Sequence, residues 1–389
     1  MDTNEEIIMG KDYRTGEPIE VHLSAGRIVD IRSPDQVVAF GQLPWIAPGL
    51  VDLQVNGFGG GDFNQVPLLP SSVKEITRSL WAYGVTEYLP TLITNDSDAL
   101  MQAIKAIRRA VNAEEAIAQS VAGIHLEGPF ISSESGARGA HDVRWITAPD
   151  WDLFQRWQEI AEGSIQLITL SPEWDESPEF IRECVKSGVR VAIGHTAATT
   201  DQIRKAIEMG ASLSTHLGNG AHAMLKRHPN YLWDQLASDE LWASFIADGF
   251  HLPPSVIKVI LRMKSDQAFL VSDTVSLAGL APGTYQTHVG GKVVLSKEGR
   301  LYLEDDPELL AGSVQPLINA ISYLAQTGLA SLSDAWNMAS VRPAVYMDLQ
   351  SQSGLEVGGK SNVVVFTVSD NLLTVEKTYV NSMLKYQKS

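Results

Sequence analysis

Short apolar runs alternate with amphipathic stretches through the middle of the chain, regularly enough to be counted. An apolar run without polar breaks reads as a strand buried on both faces, whereas apolar residues spaced three and four apart read as a helix. The runs Gly49–Val55, Val85–Thr91, Val121–Leu126, Ile165–Leu170, Arg190–Ile193, Ala211–Thr215, Ala243–Ala247 and Ala268–Ser272 predict strands. Stretches between them, such as Ser71–Tyr83, Ala99–Val111 and Thr199–Met209, predict helices. This is an α/β pattern of about eight units, that of a closed (β/α)8 TIM-type barrel, with an open doubly wound sheet as the competing arrangement. Polar residues separate the two. Gln54, Asn56, Glu127, His195, His216, Asp248 and Asp273 all fall at or just past the C-terminal ends of the runs, and barrel enzymes gather their reactive side chains on that one rim.

The flanks have a different texture. Glu20–Leu23, Gly26–Ile31, Asn362–Val368 and Leu373–Val380 are short, alternating and rich in β-branched residues. They predict a small β-sandwich domain built from both termini, residues 1–48 and 348–389, around a barrel of residues 49–347. A further β-like patch, Gly283–Leu303, carries turn signals at Gly290-Gly291 and Glu298-Gly299 and predicts a hairpin after the last barrel strand.

Composition narrows the partners. With 44% hydrophobic and 20% charged residues over 389 positions, the chain suits one large globular domain and a small one. It opens Met-Asp-Thr-Asn-Glu-Glu, without the basic start and apolar run of a signal peptide, and no apolar stretch reaches the about 18 residues of a membrane span. A cytoplasmic protein without membrane contact is expected. A formal net charge of -16 disfavours nucleic acid and acidic lipid, while leaving room for a local basic pocket around a small anion. The single cysteine, Cys184, forbids an intramolecular disulfide and fits a reducing compartment. Its place in the amphipathic stretch Ser177–Ser187 assigns it to packing rather than to nucleophilic chemistry.

Candidate chemistry lies among the rim residues. Metals such as Zn²⁺ take imidazole nitrogen and carboxylate oxygen, and a catalytic site keeps one position open for water. Glu127, His195 and His216, at the ends of three different predicted strands, make a complete three-ligand set. Any one of the nine histidines is more often a surface or core residue than a ligand. Repeated placement at one rim is what core packing does not explain. Asp273 ends the eighth strand, where a carboxylate can take a proton from attacking water and hand it to a leaving nitrogen; the plainer role for an aspartate there is to cap a turn.

The segments Pro48–Gly57 (PGLVDLQVNG), His125–Phe130 (HLEGPF), Gly139–His141, Gly194–Thr196, Thr215–Leu217, Ala247–His251 (ADGFH), Ser272-Asp273 and Leu310–Ser313 (LAGS) resemble those of the N-acetylglucosamine-6-phosphate deacetylases, a branch of the amidohydrolase superfamily. The resemblance runs nearly the whole chain, and the His-Leu-Glu-Gly-Pro element is its most specific part. It implies a barrel with a small β domain, and hydrolysis of an N-acetyl amino sugar 6-phosphate to the amine and acetate by a homodimer. It implies that His141 holds the carbonyl oxygen and that Asp273 moves the protons. Many amidohydrolases carry His-x-His on the first strand for a second metal. Gln54 and Asn56 stand at those positions, and amides are poor transition-metal ligands, so one divalent metal per subunit, Zn²⁺, is expected.

One segment departs. Where the family reads Thr-His-Leu-Phe-Asn-Ala-Met and ends in Arg-Glu-Pro-Gly, whose arginine binds the sugar phosphate, often in the neighbouring subunit, this chain has Thr215–Met224 (THLGNGAHAM) and then Lys226–Asn230 (KRHPN). Asn219 and Arg227 align; the surroundings do not. A bidentate guanidinium suits phosphate, so Arg227 with His251 and the Asn219-Gly220 backbone is the expected phosphate site, beside Lys226 and His228. A solvated loop is the other reading of that charge run, and His222 and His228 either contact sugar hydroxyls or touch nothing. The substrate therefore stays open between N-acetylglucosamine 6-phosphate, N-acetylgalactosamine 6-phosphate, an unphosphorylated N-acetyl sugar, and a cyclic amide or ureido compound. A noncatalytic sugar-phosphate binding protein is the alternative outside enzymes.

Overall fold

The structure, a computed structural model, describes residues 5–34, 43–287, 291–370 and 372–389. Eight strands pair in chain order: β1 Leu50–Val55, β2 Val85–Ile93, β3 Ile124–Glu127, β4 Ile165–Leu170, β5 Arg190–Ile193, β6 Leu213–Ser214, β7 Trp242–Phe245 and β8 Ala268–Leu270. Every neighbouring pair is parallel. The ring closes just past β8, where Asp273 N donates to Gln54 O (3.0 Å) and Asn56 N to Thr274 O (2.9 Å). This is the expected barrel, not the open sheet.

Several strands are shorter than their apolar runs. β3 begins at Ile124 because the preceding residues form a helix, Glu115–Ser120, whose end is capped by the Val121 N–H on Ile117 O. β6 and β8 stop early because His216 (φ 31°) and Asp273 (φ 50°) turn the chain out of the ladder. The helices follow their sequence signals closely. Ser97–Ala113 starts on Asp96, whose carboxylate accepts the Asp98 and Ala99 N–H groups, and Thr200–Glu208 starts on a Thr199/Gln202 capping box. Cys184 is fully buried on Ser177–Lys186, with its thiol disfavoured as an anion by burial.

The barrel interior is layered. At the N-terminal end Val51, Leu53, Leu89, Leu167, Ala192, Leu213 and Phe269 form a dry plug, sealed by Tyr346 and Met347 of the helix Val341–Met347. Above it His125 Nε2 meets Thr169 Oγ1 at 2.8 Å, and Thr169 meets the Thr215 hydroxyl at 2.7 Å. The next positions up are the C-terminal rim.

Both ends of the chain build one continuous seven-stranded sheet, in the order Met383–Gln387, Leu372–Val380, Val363–Ser369, Trp45–Pro48, Glu6–Asp12, Pro18–Ser24, Arg27–Arg32. The patch after β8 is a three-stranded antiparallel meander, Gly283–Thr287, Gly291–Leu295 and Leu301–Leu303. Its second turn is the expected one at Gly299 (φ 81°); the first, at Gly290, lies outside the described residues. No helix among the described residues is long and apolar enough to cross a membrane.

Sheet and barrel are joined through Trp336, fully buried, whose Nε1 donates to Pro48 O (2.9 Å) where the sheet feeds into β1. Its ring stacks on Phe366 at 4.4 Å between centroids. Trp336→Ala is expected to cost about 3–5 kcal/mol, read as a lowered urea midpoint. Trp336→Phe, which keeps the stack but leaves Pro48 O unpaired, should cost about 1–3 kcal/mol.

Candidate functional site

The rim residues converge on one carboxylate oxygen. Glu127 Oε1 lies 2.9 Å from His216 Nε2 and 3.2 Å from His195 Nε2, and the two imidazole nitrogens are 3.1 Å apart. The residues come from the ends of β3, β5 and β6, and each is at least nine-tenths buried. His195 (φ 47°), His216 and Asp273 all hold left-handed backbone that a side chain ordinarily avoids. Strain of about 1–3 kcal/mol per residue is retained where the surrounding structure over-determines the geometry, typically at functional positions.

The donor set fits a cation. His195 Nδ1 lies 3.0 Å from Ala137 O, which can only accept, so the proton of the neutral ring sits on Nδ1 and the Nε2 lone pair faces Glu127. A lone pair pointed at a carboxylate is unfavourable unless positive charge lies between them. A four-coordinate metal with bonds of about 2.0–2.1 Å keeps its ligand atoms about 3.3 Å apart, close to the separations seen. The ligand atoms of Glu127, His141 and His195 also lie within 4.8 Å of one another. Distance alone therefore admits His141 as a member, although the set with His216 is tighter. His216 Nδ1 is buried without a partner among the described residues.

The electrostatics follow from burial and these contacts. Burial opposes charge on Glu127, but the His195 and His216 rings against it outweigh burial and hold the carboxyl well below its usual range. Burial likewise opposes protonation of His216, and Glu127 reverses the effect. For His141 burial dominates, reinforced by the neighbouring His195, and its pKa falls to about 3. The Asp273 carboxyl is pushed up to about 6 by burial and by Glu127.

The two first-strand amides act as donors. The ladder register shifts between Asp52 and Val55; within the shift Gln54 Nε2 donates to Glu127 Oε1 (2.9 Å), and just beyond it Asn56 Nδ2 donates to Asp273 Oδ1 (2.7 Å). His251, near enough to lower the Asp273 pKa, is oriented by Asp248, which meets its Nδ1 at 2.6 Å and accepts its backbone N–H. His141 Nδ1 lies 2.8 Å from Thr94 Oγ1, one residue past β2.

The divergent segment is only partly drawn in. Gly220 lies over the His195 ring, where a Cβ would stand 2.6 Å from Nδ1, and Asn219 N donates to His216 O (2.9 Å). Arg227 is exposed, and no hydrogen bond or ion pair ties its guanidinium among the described residues. His228 is exposed as well. His222 bridges Tyr231 OH (2.9 Å) and Glu134 Oε2 (3.2 Å) at the edge of a cavity of about 420 Å³ that no residue of the Glu127 cluster lines. Thr94 and the layer of His125, Thr169 and Thr215 were not singled out from sequence, since threonine in an apolar run reads as an ordinary strand residue. For Thr94, its place one step past a strand end is the signal that could have found it.

No protein-family model matches the chain. It is 33% identical over 344 residues to an N-acetylgalactosamine-6-phosphate deacetylase of Shewanella sp. (strain ANA-3), covering 88% of this chain and 83% of that protein. It is 31% identical over 352 residues to the N-acetylglucosamine-6-phosphate deacetylase of Bos taurus, with the same coverage. The crystal structure of N-acetyl-D-glucosamine-6-phosphate deacetylase from Mycobacterium smegmatis superposes with a TM-score of 0.84 at 26% identity, over 97% of this chain and 99% of that one.

Gly220→Ala should displace the His195 ring and lower metal affinity by about 10- to 100-fold, measured by titrating metal into the apo-protein. Gly188→Ala shares the positive φ (84°) but meets nothing within 4 Å, and should leave affinity unchanged; equal losses in both would mean that backbone strain, not the ring contact, is responsible.

Proposed function

The chain belongs to the N-acetylglucosamine-6-phosphate deacetylase family, within the amidohydrolase fold, and from that membership we infer that it is a metal-dependent hydrolase of the acetamide of an N-acetylhexosamine 6-phosphate, foremost N-acetylglucosamine 6-phosphate. The convergence of Glu127 Oε1, His195 Nε2 and His216 Nε2 within 3.2 Å, with Asp273 beside them, carries this reading. These three would hold one divalent metal per subunit, Zn²⁺ by the chemistry of the donors. When bound, it supplies Lewis acidity, polarising the acetamide carbonyl and making water easier to deprotonate near neutral pH.

The protein's own groups then divide the work. Asp273 takes a proton from the water whose oxygen attacks the carbonyl carbon, while His141 donates to the carbonyl oxygen as it gains negative charge. Asp273 returns the proton to the sugar nitrogen as the C–N bond breaks, so that a neutral amine leaves and acetic acid remains, which gives its proton to solvent as acetate. Asn56 fixes Oδ1 of Asp273 and leaves Oδ2 to exchange the proton. Gln54 does for Glu127 what a second metal does elsewhere, placing positive character beside its oxygen.

The sugar end is read from the divergent segment. Asn219, Gly220 and His251 border the cluster and suit the substrate's ring and phosphate. Arg227 projects freely, which suits phosphate capture across the interface of a cytoplasmic homodimer. N-acetylgalactosamine 6-phosphate is the second reading, favoured by the 33% identity to the Shewanella enzyme.

Three outcomes test the reading. The acidic limb of kcat/KM should fall at or below pH 6: Asp273 must be ionised to accept the proton, its carboxyl stands at about 6, and a bound cation lowers it from there. Asp273→Asn should cut kcat by about 10²- to 10⁴-fold with metal retained. Arg227→Ala should lower kcat/KM for the 6-phosphate by about 30-fold or more and leave the unphosphorylated sugar unchanged. Acetate release from both sugar epimers measures all of these, and equal losses for both forms of the sugar would remove Arg227 from the phosphate site.

A further inference from the structure

We propose that Thr94 is a positioning residue that sets the tautomer of His141: its hydroxyl donates to Nδ1, keeping the ring proton on Nε2, directed into the site as a hydrogen-bond donor. The inference rests on the function proposed above, where His141 serves the acetamide oxygen. It deepens that reading by deciding whether His141 donates a proton or ligates metal, which distance leaves open.

The contrast with His195 carries the case. The two rings are in contact, 4.4 Å between centroids and inclined at 61°, and both are buried. The segment from Ala137 to His141 supplies the carbonyl that holds one ring and, four residues on, the other ring itself. The partners of the two Nδ1 atoms differ in kind. Ala137 O only accepts, so His195 carries its proton on Nδ1 and offers a lone pair at Nε2. Thr94 Oγ1, 2.8 Å from His141 Nδ1, can donate, and no other hydrogen-bond partner of that hydroxyl is present among the described residues. A buried hydroxyl with a single neighbour is best satisfied by donating to it, since accepting would strand its own proton. The neutral ring has one proton, so it then sits on Nε2.

Thr94 is held to this task by packing. It is only 5% exposed. Its Oγ1 fills the space beside Gly128 (φ 88°), where a Cβ would come within 2.2 Å of it. Gly128 directly follows Glu127, so the segment that supplies the central carboxylate also walls in the hydroxyl. An Nε2–H ring has no lone pair to offer a cation there. That leaves Glu127, His195 and His216 as the ligand set, and makes His141 a donor to developing negative charge.

The test uses the zinc-loaded protein with ¹⁵N-labelled histidine, the His141 signal being assigned by its loss in His141→Asn. The wild type should show His141 as the Nε2–H tautomer, and Thr94→Val should weaken or reverse that preference. Thr94→Val should lower kcat by about 10- to 100-fold with KM and zinc content unchanged, whereas Thr94→Ser should keep both tautomer and kcat. An Nδ1–H tautomer in the wild type, loss of zinc in Thr94→Val, or wild-type kcat in that variant would overturn the proposal. Should no N-acetyl sugar be hydrolysed, the function fails, but the tautomer and zinc content still decide the role of Thr94.

Discussion

A carboxylate buried at the mouth of a barrel is costly unless every oxygen is answered, and Glu127 is the group around which the rest is arranged. One oxygen faces two imidazole nitrogens and the Gln54 amide. Holding two rings there at once requires the chain to leave β5 and β6 with left-handed backbone at His195 and His216. It also requires the loop after β3 to fold back so that Ala137 fixes one ring and the Gly220 turn covers it. Beneath, His125, Thr169 and Thr215 close the floor with hydrogen bonds, and the apolar plug keeps water from the other end. Stability is spent at the rim and recovered in the layers below.

The same demand explains the first strand. With Gln54 and Asn56 in place of imidazoles, the strand contributes two N–H donors aimed at two carboxylates, one beneath the proposed metal and one beside the proposed nucleophile. Glu127 pushes the Asp273 pKa up, and the Asn56 hydrogen bond opposes that shift. The amides tie both carboxylates to the first strand.

Much of this was legible in the sequence because it follows from periodicity and position. Buried parallel strands have no polar face, so the eight apolar runs stood out, and polar residues at their C-terminal ends had no packing reason to be there. Gln54 and Asn56 were marked as replacements, yet their targets could not be read, because the register shift in β1 that aims them is a property of the closed barrel. Thr94 was hidden in an apolar run, where β-branched residues are expected. Strand ends were overestimated where a functional residue turns the chain, since left-handed backbone at a histidine or an aspartate leaves no trace in composition. The segment from Gly218 to Asn230 is legible only in part: Gly220 packs on His195, a close approach that composition does not mark, whereas Arg227 stays exposed.

The central claim is that a single metal held by Glu127, His195 and His216 supports cleavage of an acetamide. Titrating Zn²⁺ into the metal-free protein while following acetate release from N-acetylglucosamine 6-phosphate tests it most directly. The account predicts no turnover without metal, a linear rise that saturates at one equivalent per chain, and neither zinc uptake nor activity when His195 and His216 are both replaced by asparagine. Saturation only at two equivalents, or acetate release from the metal-free protein, would contradict it.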